Sequence, residues 1–179
     1  MNHHNFFLQP FSPVSPLLHL EITGNIGRQA NTLTIHYELL GHLTELAIPA
    51  PADVPARKNR LWEGTCFELF LAAKDSPQYW ECNLSPAGHW NVYRFGAYRQ
   101  GMQEEMRFPS LPFSVQKESD SLQLALEVEL DKIVQADQPL DIAISGVIEL
   151  KGGEATYWAL IHPGPRADFH RRDSFILEL

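Results

Sequence analysis

The segment from Leu61 to Gly101 constrains the fold most strongly, because its residues alternate between apolar and polar in three short runs. The sequences Asp75-Ser76-Pro77 and Pro86-Ala87-Gly88 separate the runs, and both are typical of tight turns. Side chains that alternate with a period of two point to opposite faces of a β-strand. The segment therefore predicts a meander of three antiparallel strands.

Further alternating runs predict strands along most of the remaining chain. The clearest lie at residues 18–23, 31–40, 113–117, 122–130, 140–150, 155–161 and 174–179. They are rich in β-branched and aromatic residues, and short turn sequences separate them. One helical turn is predicted at Lys132–Gln135, with Asp131 as its N-cap. We therefore predict an all-β fold, an antiparallel β-sandwich of about ten or eleven strands with at most one short helical turn. A single domain is expected to span residues 1–179.

The charge of the chain excludes several classes of partner. Lysine and arginine number 14 against 22 aspartates and glutamates, which gives a formal net charge of −8. Nucleic acids and anionic lipids both require clustered cations, so we predict that neither nucleic acid nor a membrane is a partner. No apolar run is long enough to cross a bilayer, and the prolines near the N-terminus do not fit a signal peptide. We therefore predict a cytoplasmic protein, and the sequence leaves its oligomeric state open.

The two cysteines, Cys66 and Cys82, are predicted to be buried thiols, because disulfides are rare in the cytoplasm. They lie on neighbouring predicted strands, so a disulfide between them is geometrically allowed. A catalytic role for Cys66 is not predicted, because its position within a strand favours a packed thiol.

A row of polar residues on the predicted meander is the main candidate site. On the second strand, the alternate residues from Trp80 to Leu84 are apolar and predict a core face, which leaves Glu81 and Asn83 on the other face. The same argument separates Glu68 from the core face of the first strand. We hypothesise that one sheet face gathers four side chains: Glu68, Glu81, Asn83 and Arg94.

This group of side chains suits a ligand with many hydroxyl groups. Carboxylate and amide oxygens accept hydrogen bonds from hydroxyls, while arginine and the asparagine amide donate them, and flanking rings cover the apolar face of a sugar. The alternative is a ladder of charges on a solvent-exposed sheet, in which Arg94 pairs with Glu68 or Glu81 across the strands.

Other candidate residues lie at the ends of the predicted strands. Trp62 follows a long loop at residues 49–60, and it is either a stacking platform for a ligand or a lid over the core. Tyr98 and Arg99 end the third strand, where the binding sites of sandwiches often open. The loop at residues 162–173 contains four possible metal ligands: His162, Asp168, His170 and Asp173. Their spacing matches no standard zinc motif, so we predict no metal site.

Three sequence blocks resemble the bacterial DOMON-like proteins, which are similar to family-9 carbohydrate-binding modules. The blocks are LWEGTCFELFLA, YWECNLSPAGHWNVYRFGAYRQGM and YWALIHPGPRADFHRRDSFILEL, and the resemblance covers the chain from about Leu18 to its C-terminus. The resemblance implies a β-sandwich that binds sugars or, in other DOMON branches, haem. Family-9 modules hold a sugar between aromatic rings, and the candidate rings are those of Trp62, Trp90, Tyr98 and Trp158.

The leading functional hypothesis is non-catalytic binding of a carbohydrate-like small molecule, with no cofactor. The predicted ligand-binding residues are Trp62, Glu68, Glu81, Asn83, Arg94, Tyr98, Arg99 and Trp158. One alternative is an enzyme that acts on a glycoside through Glu68 and Glu81, which requires carboxyl groups about 5 or about 6.5–9.5 Å apart. The other alternative is a protein-binding module that uses exposed aromatic residues as anchors.

Overall fold

Strands account for most of the regular structure. The structure of the protein, a computed structural model, describes residues 2–136 and 138–179. Twelve strands lie in these two ranges: β1 Asn2–Pro10, β2 Glu21–Gln29, β3 Thr32–Leu40, β4 Cys66–Ala73, β5 Tyr79–Leu84, β6 Trp90–Phe95, β7 Gln103–Glu104, β8 Phe113–Lys117, β9 Ser121–Glu129, β10 Leu140–Glu149, β11 Ala155–Ala159 and β12 Leu177–Glu178. Four single turns of 3₁₀-helix occur at Pro16–Leu18, Leu43–Glu45, Leu61–Glu63 and Arg172–Ser174.

The all-β fold class predicted from the sequence is confirmed. The strand count exceeds the expected ten or eleven, and the two-residue strand β7 lies outside the predicted runs, while β12 occupies only two residues of the strand predicted at 174–179. Four 3₁₀ turns are present where at most one helical turn was expected, and residues 131–134 form a turn in which Ile133 and Val134 donate to the carbonyl of Leu130. Within the described ranges, no helix combines the length and apolarity needed to cross a membrane.

The strands form one curled antiparallel sheet that folds over on itself to give two layers. The strand order is β7-β6-β5-β4-β10-β11-β1-β2-β3-β9-β8, with β12 added at the side of β10. Strand β1 belongs to both layers, because residues 2–8 pair with β2 while Gln9 and Pro10 pair with β11. We call the layer from β7 to β11 the front sheet and the layer from β1 to β8 the back sheet.

The main hydrophobic core lies between the two sheets. The front sheet contributes the alternate residues that the sequence predicted: Phe67, Leu69, Leu71, Trp80, Cys82 and Leu84. The back sheet contributes Ile22, Ile26, Leu33, Ile35, Tyr37 and Leu39, among others. The predicted core faces of the first two meander strands are therefore confirmed.

A second hydrophobic cluster lies on the outer face of the front sheet. It contains Phe70, Ala72, Tyr79, Tyr93, Phe95, Ala143 and Phe175, with Trp62 and Phe169 packed against it. Residues 161–175, which we call the cover segment, lie over this face. Phe175 packs against Phe70 and Tyr79, and Arg172 donates to Asp141 and to the carbonyl of Ala73. Both faces of β4 and β5, in the middle of the front sheet, are therefore buried.

The long loop at residues 49–60 is fastened to β6 through Arg57. Its guanidinium lies 4.4 Å from the centre of the Trp90 ring and donates to Asn91 Oδ1 at 2.6 Å and to the carbonyl of Phe108 at 2.5 Å. Backbone hydrogen bonds join Lys58 and Ala56 to Trp90. These bonds fix the approach of the chain to Trp62, at the edge of the outer face.

Neither cysteine takes part in a disulfide. Both are buried, and the pleat of the strands places them on opposite faces. Cys82 packs in the main core, while the thiol of Cys66 lies 3.8 Å from Asn83 Oδ1. Burial raises the pKa of Cys82 to about 12 and raises the pKa of Cys66 well above its ordinary value.

Both thiols are expected to resist modification in the native protein. The thiolate is the nucleophile that attacks thiol reagents, and burial both disfavours this charged form and blocks access of the reagent. Ellman's reagent should therefore release little chromophore from the folded protein, and two equivalents per chain once urea is added. Rapid labelling without denaturant would contradict this burial.

Candidate functional site

A pocket opens between the front sheet and the cover segment. Its volume is about 360 Å³, which falls within the range of about 300–1,000 Å³ that is usual for small-molecule sites. Strands β4, β5, β6, β10 and β11 supply part of the lining, and the cover segment, the residues after β6 and the 3₁₀ turn at Leu61–Glu63 supply the remainder. The lining residues are Trp62, Glu68, Glu81, Phe95, Arg99, Met102, Val147, Tyr157, Ala167, Asp168, Phe169 and His170.

Two glutamates lie side by side in the floor of the pocket. Glu68 pairs with Asn83 across β4 and β5, so Glu81, two residues from Asn83, is its diagonal neighbour on the same face. Both side chains are almost fully buried, with Glu68 3% and Glu81 4% exposed. Ser145 Oγ donates to Glu68 Oε2 at 3.2 Å, and Asn83 Nδ2 donates to Glu81 Oε1 at 2.7 Å. Each carboxyl group therefore uses one oxygen within the protein.

The environment of the two glutamates favours their protonated forms. Burial raises the pKa of Glu81 to about 7, against the hydrogen bond from Asn83 and the positive charge of Arg99. Burial and the adjacent charge of Glu81 raise the pKa of Glu68 well above its ordinary value. Two carboxylates this close resist ionising together, so the pair retains a proton at neutral pH.

Asp168 in the cover segment has the opposite character. Tyr98 Oη donates to its Oδ2 at 2.5 Å, and Arg99 Nη2 donates to its Oδ1 at 2.8 Å. The backbone amide of His170 also donates to Oδ1, at 3.1 Å. Burial alone would raise the pKa of Asp168, but these hydrogen bonds hold it below its ordinary value. Asp168 is therefore an ionised carboxylate, and both of its oxygens already accept hydrogen bonds.

His170 connects the cover segment to the pocket floor. Its Nδ1 lies 2.8 Å from Tyr79 Oη, and its Nε2 lies 3.8 Å from Glu81 Oε2. Its ring packs edge-on against Phe70 and Phe95. Burial, together with the nearby charge of Arg99, lowers the pKa of His170 to about 4, so the imidazole is neutral at pH 7.

Aromatic rings border the pocket above this polar floor. Trp62, in the 3₁₀ turn at Leu61–Glu63, packs edge-on against Tyr93 at 5.6 Å between ring centres. Tyr157 and Phe169 lie 6.2 Å apart, and Tyr157 remains 42% exposed. Rings in this arrangement can cover the apolar face of a bound molecule.

The structure brings four of the predicted site residues together at the pocket: Trp62, Glu68, Glu81 and Arg99. Asn83 does not line the pocket, but it is fully buried beside Glu81 and orients that carboxyl group. Tyr98 lies at the rim, half-exposed, and holds Asp168. The alternative of a solvent-exposed charge ladder is wrong, because the cover segment buries both glutamates.

Arg94 and Trp158 lie away from the pocket. In the register of β5 and β6, Arg94 pairs with Trp80, which faces the main core, and it donates to Gln103. The hypothesis that Arg94 shares the face of the glutamates is therefore wrong. Trp158 is 2% exposed and packs in the main core, so it is its neighbour Tyr157 that reaches the pocket. Trp90 is also a core residue.

The four possible metal ligands of the cover segment point to separate partners. His162 contacts the carbonyl of Gln9, and Asp173 forms an ion pair with Arg171, while Asp168 and His170 line the pocket. Across residues 2–136 and 138–179, no group of three or more histidine, cysteine, aspartate and glutamate side chains is arranged to hold a metal ion. Sequence reasoning considered Asp168 and His170 individually only as possible metal ligands, although the concentration of charge in this loop marks it as unusual.

A groove adjoins the pocket along β11. This second cavity has a volume of about 470 Å³ and shares Tyr157 and Ala167 with the pocket. It continues past Phe11, Glu154 and Arg166. A molecule longer than the pocket could therefore leave it across the Tyr157 ring.

Comparisons with known proteins show the fold. No protein-family model and no curated protein sequence match the chain. A solved structure of a candidate carbohydrate-binding protein from Bacteroides uniformis matches with a TM-score of 0.66 and 14% identity, over 93% of this chain and 83% of that one. A family-9 carbohydrate-binding module from Caldicellulosiruptor kristjanssonii in complex with glucose matches with a TM-score of 0.54 and 10% identity, over 94% and 78% of the two chains. The complex of such a module with cellotriose matches with a TM-score of 0.51 and 8% identity, over 90% and 74%. At these identities the likeness establishes a shared β-sandwich fold.

Proposed function

We propose that this protein binds a carbohydrate, without chemical conversion, in the pocket beneath the cover segment. One observation carries the proposal: acceptor oxygens of Glu68 and Glu81 and a ring of aromatic side chains meet in a pocket of about 360 Å³. Sugars need both kinds of contact, because their hydroxyls form hydrogen bonds while their C–H faces pack on rings. The structural neighbours in complex with glucose and cellotriose support this choice of ligand.

The polar side chains are suited to several hydroxyl groups at once. The glutamates each have one carboxyl oxygen free of hydrogen bonds to other described residues, and Arg99 keeps further N–H donors beyond the one given to Asp168. The fixed hydrogen bonds of Asp168 and Asn83 hold the neighbouring groups in place before a ligand arrives. Such preorganisation lowers the entropic cost of binding.

Hydrolysis of a glycoside is the weaker alternative. It requires one carboxyl group to donate a proton and a second to act from the other side of the scissile bond. Glu68 and Glu81 share one sheet face, so they reach a ligand from the same side. Asp168 does approach from the cover segment, but both of its oxygens already accept hydrogen bonds. The arrangement therefore favours binding.

The proposal includes two finer assignments. The resemblance to DOMON-like proteins, carried by the blocks around β4, β5 and the cover segment, makes this chain a candidate for that group. The cytoplasm is the proposed location, in keeping with two free thiols that burial leaves reduced.

Truncation of Trp62 to alanine is expected to weaken sugar binding about tenfold or more, because the variant loses a ring at the pocket border. The measurement is isothermal titration calorimetry with monosaccharides and short oligosaccharides, after a thermal-shift screen. Phe7→Ala is the matched control, because Phe7 is 45% exposed and lies outside the pocket lining. Sugar binding that survives Trp62→Ala unchanged would place the site elsewhere, and silence across the whole panel would refute carbohydrate binding.

A further inference from the structure

The charged groups that face the pocket are not balanced. Its lining contains three carboxyl groups, those of Glu68, Glu81 and Asp168, and two groups that could carry positive charge, Arg99 and His170. Arg99 forms its ion pair with Asp168 at 2.8 Å. His170 is neutral at pH 7 and its Nε2 lies 3.8 Å from Glu81, too far for a hydrogen bond. Within the described residues, therefore, no cation is hydrogen-bonded to either floor glutamate.

Each floor glutamate also presents an unused oxygen. Glu68 accepts through Oε2 and Glu81 through Oε1, which leaves Glu68 Oε1 and Glu81 Oε2 without a hydrogen bond among residues 2–136 and 138–179. Both residues are more than nine-tenths buried, and both line the pocket. Asn31 Oδ1 is the only fully buried side-chain oxygen or nitrogen without a partner among the described residues, so these two glutamate oxygens are open to the pocket, where they can accept hydrogen bonds from a bound molecule.

A cationic donor satisfies these two oxygens best. An ammonium group has three N–H donors, enough to bridge two carboxylates, and its charge offsets the repulsion between them. The rings of Trp62, Phe95, Tyr157 and Phe169 border the same space, and aromatic rings attract cations through their faces. A hydroxyl group supplies one donor and no charge, so with a neutral sugar the pair of glutamates keeps its shared proton.

We propose that the ligand of this pocket is a polyhydroxylated molecule with a protonated amine, an amino sugar or a close analogue, whose ammonium group binds between the free oxygens of Glu68 and Glu81. This inference rests on the proposed carbohydrate binding and names the class of sugar. The ammonium group favours two ionised glutamates, whereas the empty pocket retains a proton on the pair. Binding near neutral pH should therefore release a proton to the buffer.

The test compares amino sugars with their neutral parents by calorimetry at about pH 7, where free amino sugars are largely protonated. Glucosamine, galactosamine and mannosamine are each paired with the parent hexose and with the N-acetyl derivative, in which the amine has no charge. We expect at least one amino sugar to bind about tenfold or more tightly than both of its neutral partners. Titrations in two buffers with different heats of ionisation should reveal the released proton.

Two substitutions test whether the preference for amino sugars over neutral sugars depends on the floor glutamates. Glu81→Gln and Glu68→Gln should each reduce the ratio of the affinity for the amino sugar to the affinity for its neutral partners to near one. The reason is that a neutral amide cannot form an ion pair with an ammonium group. Glu63→Gln is the control and should keep the ratio, since Glu63 is exposed, pairs with Arg60 and does not line the pocket. Thermal melts identify any variant that fails to fold, and the comparison with N-acetyl sugars requires no variant at all.

The possible outcomes distinguish a failure of the amino-sugar inference from a failure of the proposed carbohydrate binding. Neutral sugars that bind as tightly as amino sugars would overturn the cationic ligand while leaving carbohydrate binding intact. A preference for amino sugars that both glutamine variants retain would also overturn it. Failure of all the sugars, charged and neutral, to bind would overturn both proposals together.

Discussion

Gly24→Ala is expected to destabilise the protein so strongly that little folded material is recovered. Gly24 lies in β2, between β1 and β3. A methyl group at this position would lie 2.0 Å from the carbonyl oxygen of His36 and 2.5 Å from Cζ of Phe6. The first contact involves the backbone of the neighbouring strand, which no change of side-chain rotamer can relieve. Overpacking usually costs about 1–3 kcal/mol, and a clash with a paired strand should exceed that range.

The consequence of this substitution should extend to the site. Phe6 packs edge-on against Tyr37 at 5.6 Å across the space above Gly24, and Tyr37 Oη donates to the carbonyl of Glu68 at 2.9 Å. Displacing Phe6 therefore disturbs the strand that positions the pocket floor. Because a domain is stable by only about 5–15 kcal/mol, a loss above about 3 kcal/mol is readily measured by urea unfolding.

Gly152→Ala is the matched control for this prediction. Nothing lies within 4 Å of a methyl group at Gly152, which occupies the turn between β10 and β11. We expect its free energy of unfolding to change by less than about 0.5 kcal/mol. Equal stability and yield of the two variants would show that the β2–β3 spacing can expand to admit a side chain, contrary to the expected rigidity of the back sheet.

The sandwich and its core were predictable because alternation in β4 and β5 leaves little ambiguity. Between Phe67 and Leu71, and again between Trp80 and Leu84, one face is wholly apolar. Burying that face is favourable enough to decide which side of the sheet faces the core. The placement of Glu68, Glu81 and Asn83 on the opposite face followed from the same pattern.

The pattern fails where both faces of a strand carry apolar residues. In β6, the set from Trp90 to Arg94 and the set from Asn91 to Phe95 both mix apolar and polar side chains. Only the pairing with β5 decides between them, and it places Tyr93 opposite Glu81. The same ambiguity in β11 led to the choice of Trp158 instead of Tyr157.

The individual contacts of the cover segment could not be predicted from the sequence. His170 meets Tyr79 across 91 residues of chain, and Asp168 meets Arg99 across 69. Contacts of such separation depend on tertiary packing, which periodicity does not encode. The cover segment borders the glutamates together with Trp62, Phe95 and Tyr157, so their burial depends on tertiary packing, and the sequence left an exposed row of charges open.

Glu81→Gln is expected to make the protein more stable than the wild type at alkaline pH. The folded-state pKa of Glu81 is raised to about 7 from an ordinary value of 4.5. The folded protein therefore holds this proton more tightly than the unfolded chain does. The resulting stability is fully present below about pH 4.5 and is lost as the pH rises through about 7. Since one pKa unit corresponds to about 1.4 kcal/mol, the loss is on the order of 3 kcal/mol.

His170 produces the opposite slope on the acidic side. Its folded-state pKa of about 4 lies below its ordinary value of 6.5, so its contribution to stability is present above pH 6.5 and is lost as the pH falls toward 4. Between about pH 4.5 and 6.5 the His170 slope opposes the slopes of both glutamates, because the pKa of Glu68 is raised as well, so the wild type should lose stability there only slowly. Above about pH 6.5 His170 no longer opposes the glutamates, so the free energy of unfolding falls more steeply. Glu68, whose pKa is also raised, extends this loss of stability to higher pH.

Urea unfolding at about pH 5, 6.5 and 8.5 measures both slopes. Wild type should lose stability between both pairs of values, while Glu81→Gln should lose less between the two higher values and should be nearly flat between the two lower ones, where the slopes of His170 and Glu68 oppose each other. Glu63→Gln should follow the wild type, because Glu63 is exposed. Wild-type and Glu81→Gln curves that run parallel would mean that Glu81 ionises as easily in the folded protein as in the unfolded chain. The pocket floor would then hold no excess proton, and an ammonium ligand would have no repulsion to relieve.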